Sequence, residues 1–184
     1  MEGSSAAAVA RAKRGDQEAF RELVERHSQH VFRLAWRLTR SETDAEDVVQ
    51  ETFWKAWKQL PGFEGRSEFS SWLHRIAANC ALDLLRSRGR RPETALPEEE
   101  IHAAPEPGPE RRLESAEVSR TIAESLDGMT PMERTAFVLR HFEGRSIEEI
   151  GQALGVKQEA AKQSVFRAVA KLRRALAPAA GMSS

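Results

Sequence analysis

A cluster of basic and amide side chains near the carboxyl terminus has the composition of a nucleic-acid contact. Residues 157–174 contain six lysine and arginine residues and one acid, Glu159. In a major groove, arginine and lysine read guanine edges, glutamine reads adenine, and further cations reach phosphates. The segment predicts DNA binding although the formal net charge of the 184-residue chain is zero, because the location of the cations matters more than their sum.

Two helices joined by a tight turn would position this cluster. Ser146 and Glu149 form a capping box that predicts a short helix over 147–153. Gly155 supplies the turn, and the periodicity predicts a long second helix over 157–176. A lone basic helix is more often a solvated amphipathic helix, but the three features in this order favour a helix-turn-helix.

The apolar positions of the second helix predict which face is buried. Val165, Val169, Leu172 and Leu176 recur at four, three and four residues, which is the spacing of one core stripe. The opposite face would carry Gln163, Arg167, Ala170 and Arg174. Phe166 lies beside the stripe and is either a contact to a thymine methyl or domain packing.

A second candidate DNA contact lies in the amino-terminal half. Phe63, Phe69 and Trp72 surround a loop and the start of a helix from about 68 to 88, whose far end is basic. Aromatic rings with nearby cations suit single-stranded DNA, because rings stack on unpaired bases while arginines follow the backbone. The same aromatics are equally well explained as the core of a small helical domain. Trp36, Trp54 and Trp57 are assigned mainly to core or subunit contact.

Helical periodicity covers nearly everything outside one spacer, so the predicted fold class is all-α. The pattern predicts helices on both sides of a turn at Gly15-Asp16, a separate helix through Val31 to Leu38, and a helix beginning at Thr43, where Thr43 and Glu46 form a capping box. In the second half, Thr130, Pro131 and Glu133 predict another helix start.

The spacer divides the chain into two small helical domains joined by a flexible linker. Residues 92–112 hold five of the eight prolines and six glutamates, and such a segment buries too little apolar surface to fold alone. The predicted organisation is an amino-terminal helical bundle over 1–91, a linker over 92–112, a helix-turn-helix domain over 113–178 and a disordered tail over 179–184.

Few residues offer catalytic, metal-binding or redox chemistry. The single cysteine, Cys80, cannot form an intramolecular disulfide and is interpreted as a buried packing thiol. His27 and His30 have a spacing compatible with metal ligands but lack an accompanying ligand set. No phosphate-binding glycine loop and no apolar run of membrane-spanning length is present. We therefore expect no catalytic site, no metal, no cofactor and no membrane insertion, and a cytoplasmic protein.

Several motifs in order resemble one protein family, the bacterial sigma factors of the extracytoplasmic-function (ECF) group. The resemblance covers nearly the whole chain. It is carried by GDQEAFRELVERH, DAEDVVQETF and FEGRSEFSSWLHRIAANCALDLLR, followed by a variable linker and a terminal helix-turn-helix.

The resemblance implies three binding sites. In this family an acidic and amide surface of the third helix docks on the clamp helices of the RNA polymerase largest subunit. Here it corresponds to Asp47, Gln50 and Glu51. A loop and the following helix capture a flipped base of the −10 element. The residues implied at that site are Phe63, Glu64, Gly65, Ser67, Arg75, Asn79, Arg86 and Arg88. The residues implied at the −35 element are Lys162, Gln163, Phe166, Arg167 and Lys171.

The implied function is that of an alternative sigma factor. It would bind core RNA polymerase, direct it to promoter DNA through a duplex −35 element and a single-stranded −10 element, and help to melt the −10 region. An anti-sigma factor is a further implied partner. The acidic linker either mimics nucleic acid in the polymerase cleft or is simply soluble. The alternative function is a stand-alone helix-turn-helix regulator, which binds duplex DNA unaided.

Overall fold

The computed structural model describes residues 2–88 and 124–180, and every regular element in these two stretches is helical. The predicted all-α class is therefore confirmed. The chain divides into two compact units, Met1–Pro92 and Glu93–Ser184. The predicted linker over 92–112, Arg90, Arg91 and residues 181–184 of the predicted tail lie outside the described residues.

The first unit contains four helices around one core. They are α1 (Glu2–Lys13), α2 (Gln17–Thr39), α3 (Glu42–Gln59) and α4 (Phe69–Arg88), with a 3-10 turn at Leu60–Gly62 after α3. Helix α2 is the central element, because it packs against each of the other three. Its side chains Leu23, Val31, Leu34 and Leu38 are completely buried, as the 3.6-residue period of an amphipathic helix requires.

Two predicted helix boundaries in this unit are wrong. Helix α2 runs unbroken through Val31 to Thr39, because no glycine or proline interrupts it. Helix α3 begins at Glu42 and not at Thr43. Its cap is Ser41, whose hydroxyl accepts a hydrogen bond from the Asp44 backbone N–H at 3.3 Å. Arg40 ends α2 in the left-handed conformation, with φ of 60°, and leaves Ser41 in the extended backbone that a cap needs.

The second unit presents the predicted helix starts. Residues 124–127 are helical and are followed by α5 (Pro131–His141), α6 (Ile147–Leu154) and α7 (Gln158–Ala180). Both predicted capping boxes, at Thr130 and at Ser146, are present. Helix α7 continues to Ala180, two residues into the predicted tail, with Pro178 in its last turn.

The buried stripe of α7 differs from the predicted one. Ala161 and Ala168 are completely buried, whereas the predicted core residues Val165, Val169, Leu172 and Leu176 are only half-buried. The small alanines allow the α7 backbone to lie close to α5 and α6, so the larger side chains are displaced to the edges of the contact. This leaves apolar surface on α7 partly open to solvent.

The turn between α6 and α7 depends on two glycines. Gly155 has a φ of 64° and ends α6 as predicted. Gly151 was not singled out from the sequence. A Cβ atom at Gly151 would lie 3.0 Å from the carbonyl oxygen of Val156, so its hydrogen allows α6 to approach the turn closely.

Candidate functional site

Asp47, Gln50 and Glu51 form one exposed face of α3. The i, i+3, i+4 spacing places them within one turn of each other. Glu51 pairs with Lys55 on the same helix, with Nζ and Oε1 3.3 Å apart. Asp47 has no ion pair within the described stretches of the chain. The face therefore presents carboxylates and an amide to solvent.

A groove of about 720 Å³ runs between α3 and α4 beside this face. Trp54 lines it and is 54% exposed, with the Lys58 ammonium 3.5 Å from its ring centroid. The wall from α4 includes Asp83 and Leu84, and Cys80 also lines the groove. Asp83 was not identified from the sequence, because it lies 32 residues beyond Glu51. The packing of α3 on α4 places both residues in the lining of one groove.

The aromatic residues around the loop pack on each other. The ring centroids of Phe63 and Trp72 are 5.0 Å apart, and those of Phe69 and Trp72 are 5.6 Å apart. All three rings are at least nine-tenths buried. Of the two alternatives drawn from the sequence, the core interpretation describes these rings, and Phe63 does not present its ring to solvent.

Two hydrogen bonds hold the loop at its first residue, Phe63. The Phe63 backbone N–H donates to the Leu60 carbonyl at 3.0 Å, and the Phe63 carbonyl accepts a hydrogen bond from the Lys13 ammonium of α1. Glu64, Gly65 and Ser67 are exposed. The Glu64 carboxylate lies 2.6 Å from Nε of Arg66. The exposed polar part of the loop, Glu64, Gly65 and Ser67, thus follows a residue whose backbone is held in place.

Helix α4 presents a second polar surface beyond the loop. Arg75, Asn79 and Arg86 are exposed, and their spacings of four and seven residues place them on one helical face. The amide of Asn79 can donate and accept at the same time. This face therefore has one base-reading group between two cations.

Arg88 has a different environment from the other arginines. Its guanidinium contacts the carboxylate of Asp44, which is buried at the start of α3. Burial raises the pKa of the Asp44 carboxyl above its usual value, although Arg88 opposes that shift. Arg88 thus joins the end of α4 to α3, which leaves it less available to a phosphate than Arg75 or Arg86.

The amino-terminal part of α7 has the side chains expected of a reading helix. Lys162, Gln163, Phe166 and Arg167 are exposed, and Phe166 is 73% exposed. The capping box at Ser146 and the Gly155 turn place them at the leading end of the helix-turn-helix. Arg173 and Arg174 are also exposed and extend the basic surface along α7, and Arg174 belongs to the face that the sequence predicts to lie opposite the core.

Lys171 lies at the edge of this surface and is engaged within the domain. Its ammonium donates to the Glu133 carboxylate at 2.7 Å and to the Gly128 carbonyl at 3.1 Å. Burial raises the pKa of Glu133, but hydrogen bonds from Lys171 and from the Thr130 backbone outweigh it, so the net pKa is lowered. These hydrogen bonds give Lys171 a structural role within the domain, whereas the sequence analysis implied only a contact to DNA.

The histidines and the cysteine are packed among other side chains. His27 lies against Phe69, with ring centroids 5.4 Å apart, and its pKa is lowered by burial. His30 stacks on His74 at 4.8 Å, a pairing that the sequence spacing did not reveal. Cys80 is buried, as expected of a packing thiol, and burial raises its pKa. No helix in the described part of the chain is both long and apolar enough to cross a membrane.

Two family models match the chain, one in each unit. Residues 23–91 match Sigma-70 region 2, and residues 125–174 match Sigma-70 region 4. The first match includes the α3 face, the loop and the exposed face of α4. The second includes the helix-turn-helix. The matches therefore cover every surface described above.

Two related sigma factors extend this similarity over most of the chain. The ECF RNA polymerase sigma factor SigE of Mycolicibacterium smegmatis is 40% identical over 89% of this chain, which spans 65% of that protein. The ECF RNA polymerase sigma-E factor of Haemophilus influenzae is 34% identical over 94% of this chain and 95% of its own length.

A solved structure gives the same result. The sigma factor RpoE of Bartonella quintana, crystallised with the anti-sigma factor NepR, has a TM-score of 0.67 and 25% identity, covering 85% of this chain and 96% of its own. The two matching regions and the 34% identity to a relative spanned over 95% of its length show that the chain belongs to the ECF family of RNA polymerase sigma factors.

Proposed function

We propose that this sigma factor divides promoter recognition between its two units. The chain binds core RNA polymerase, directs it to specific promoters and helps to melt the −10 region. In the first unit, the α3 face of Asp47, Gln50 and Glu51 docks on the polymerase. The loop tip and the α4 face around Asn79 read the −10 element. In the second unit, α7 reads the −35 element.

The exposure of the −10 surface supports this division most directly. Glu64, Gly65 and Ser67 on the loop and Asn79 on α4 are all exposed, while the aromatic core beneath them fixes the loop backbone. A base flipped out of its stack loses a few kcal/mol of stacking, so its pocket must be rigid to offset that loss. The buried rings of Phe63, Phe69 and Trp72 therefore contribute by positioning the reading groups and not by stacking on bases.

Three further properties complete the proposal: enzymatic activity, regulation and cellular location. The binding surfaces hold no grouping that suggests catalysis, and we propose that the chain has no enzymatic activity. An anti-sigma factor is a further partner, as in the complex of the Bartonella relative with NepR. Because core polymerase and promoter DNA are its partners, we place the protein in the cytoplasm.

A reconstituted transcription assay tests the proposal. Purified chain is added to core polymerase with a promoter library from the source genome, and run-off transcripts are sequenced. We expect transcripts from a small promoter set sharing one −35 and one −10 motif, and none from core polymerase alone. Promoter-specific duplex binding by the chain without polymerase, together with no gain in transcription, would instead identify a stand-alone helix-turn-helix regulator.

A further inference from the structure

The groove between α3 and α4 carries carboxylates on both of its walls. Asp47 stands on the α3 wall and Asp83 on the α4 wall, and both side chains are exposed. Neither carboxylate has an ion pair within residues 2–88 and 124–180. Glu51, the third acid of the groove, is the one that has an internal partner, Lys55.

The interior of the groove is suited to an aliphatic chain. Val48 and Leu84 line it, together with the half-exposed ring of Trp54. Lys55 also lines the groove, and its ammonium is paired with Glu51, which leaves Asp47 and Asp83 for an incoming cation. An arginine or lysine side chain has this combination of properties, because its methylene stem packs on apolar surface while its charged end seeks carboxylates. The volume of about 720 Å³ accommodates such a side chain together with part of the helix that carries it.

We propose that the groove accepts a cationic side chain of the core polymerase between Asp47 and Asp83, which makes Asp83 part of the docking site. The inference rests on the proposed docking of the α3 face, with which the groove is continuous. The inserted cation would neutralise two carboxylates that have no ion pair among the described residues. Because the cation would lie between two walls, it would contact two carboxylates at once, which an exposed ion pair on one helix does not do.

The groove also lies on the helix that reads the −10 element. Asp83 is on α4, one turn after Asn79. Polymerase binding in the groove would therefore fix the same helix that presents the base-reading amide. Docking and −10 recognition would then share one helix, α4.

Charge variants at Asp83 test the proposal without DNA. The affinity of fluorescently labelled chain for core polymerase is measured for wild type, Asp83→Asn and Asp83→Lys. Loss of one charged hydrogen-bond partner should weaken binding about fivefold, and reversal should weaken it about twentyfold or more. Glu25→Lys is the matched control, because it alters an exposed acid on α2 outside the groove. It should bind as wild type does.

A parallel Glu51→Lys variant separates this inference from the docking proposal. If Glu51→Lys weakens binding and both Asp83 variants bind as wild type, the α3 face docks but the groove takes no cation, and the inference is overturned. If neither position matters, the docking proposal fails with it. The double variant Asp47→Asn with Asp83→Asn should lose less affinity than the sum of the single losses, because both groups hold one cation. Full additivity would contradict a shared cation.

The single cysteine provides a second measurement in the unmodified chain. Cys80 is buried but lines the groove, so a reagent should reach its thiol through the groove and a bound polymerase should block that path. Alkylation of Cys80 by N-ethylmaleimide at alkaline pH, followed by mass spectrometry, should slow at least about tenfold when core polymerase is bound, since the thiol reacts only when reagent reaches it. An unchanged alkylation rate at saturating core polymerase would show that the groove stays open.

Discussion

At the scale of single residues, exposure separates the groups that read from the groups that support. Asn79 and Arg167 face solvent, whereas Phe63 is 9% exposed and Lys171 is held by Glu133. A polar group without an internal partner is free to pair with a base or a phosphate at low cost. A group that already has a partner must first lose that hydrogen bond. The proposed roles follow this distinction.

Asn79→Ala should remove discrimination at one position of the −10 element. The amide donates and accepts on a base edge, and its loss should lower the preference for the native base by about 1–3 kcal/mol, the range for a lost base contact. Run-off transcription from promoters carrying each of the four bases at every −10 position measures this. If activity falls equally on all −10 variants, Asn79 does not read a base.

Lys171→Met should destabilise the second unit and leave −35 discrimination unchanged. The substitution removes the hydrogen bond to Glu133 and should cost about 1 kcal/mol, since Lys171 is partly exposed. All four tryptophans lie in the first unit, so circular dichroism without a change in tryptophan fluorescence reports urea unfolding of the second. Lys162→Met is the control. It should weaken −35 discrimination and leave the stability of the second unit unchanged. Loss of −35 preference by Lys171→Met would make Lys171 a DNA contact.

The contribution of Glu133 should depend on pH. Its pKa is lower in the folded protein than its usual value, despite burial, because of Lys171 and the Thr130 backbone. A carboxyl with a lowered folded pKa contributes stability that is present above its unfolded pKa and is lost as the pH falls through the folded value. The difference in unfolding free energy between wild type and Lys171→Met should therefore be largest near neutral pH and shrink in acid. A constant difference would contradict the Glu133 linkage.

At the scale of elements, the sequence predicts helix starts in the second unit well because they depend on local chemistry. Ser146 with Glu149 and Thr130 with Glu133 each close a capping box within four residues. The failures come from tertiary packing. Ala161 and Ala168 replace the valine and leucine stripe because a close approach of helices favours small side chains, and periodicity does not encode that distance. Asp83 joins the groove for the same reason, since only packing brings α4 beside α3.

Gly151→Ala should destabilise the helix-turn-helix despite the higher helix propensity of alanine. Propensity alone would favour the substitution by about 1 kcal/mol, but the new methyl group would lie 3.0 Å from the Val156 carbonyl oxygen. The turn cannot retreat freely, because the Val156 N–H donates to the Gly151 carbonyl at 3.0 Å. Overpacking of this kind costs about 1–3 kcal/mol.

Urea unfolding followed by circular dichroism measures the effect of Gly151→Ala on the second unit. Gln152→Ala, at the adjacent exposed position of α6, is the control and should leave stability nearly unchanged. An increase in stability in Gly151→Ala would show that the turn accommodates the methyl group and that the close approach is not required.

At the scale of the whole molecule, the chain has a formal net charge of zero but carries one acidic surface and one basic surface. An acidic groove suits a basic polymerase surface, and a basic helix suits phosphate. In the proposed function, the polymerase holds both units at one promoter. Each unit alone therefore needs only modest affinity for DNA, because binding of one raises the effective concentration of the other. Such an arrangement makes promoter recognition depend on the core enzyme, as expected of a sigma factor.

The two DNA-reading sites should fail independently in the full chain. Arg167→Ala should relax discrimination in the −35 element by about 1–3 kcal/mol. It should leave transcription from a template with a pre-opened −10 bubble nearly normal, because the proposal assigns melting to the first unit. The Asn79→Ala variant should still transcribe less than wild type from the bubble template. Since the two residues lie in separate units, the double variant should lose the sum of the two free energies. A bubble template that fails to rescue Arg167→Ala, or a double variant no worse than the poorer single one, would show that the units act as a single reading site.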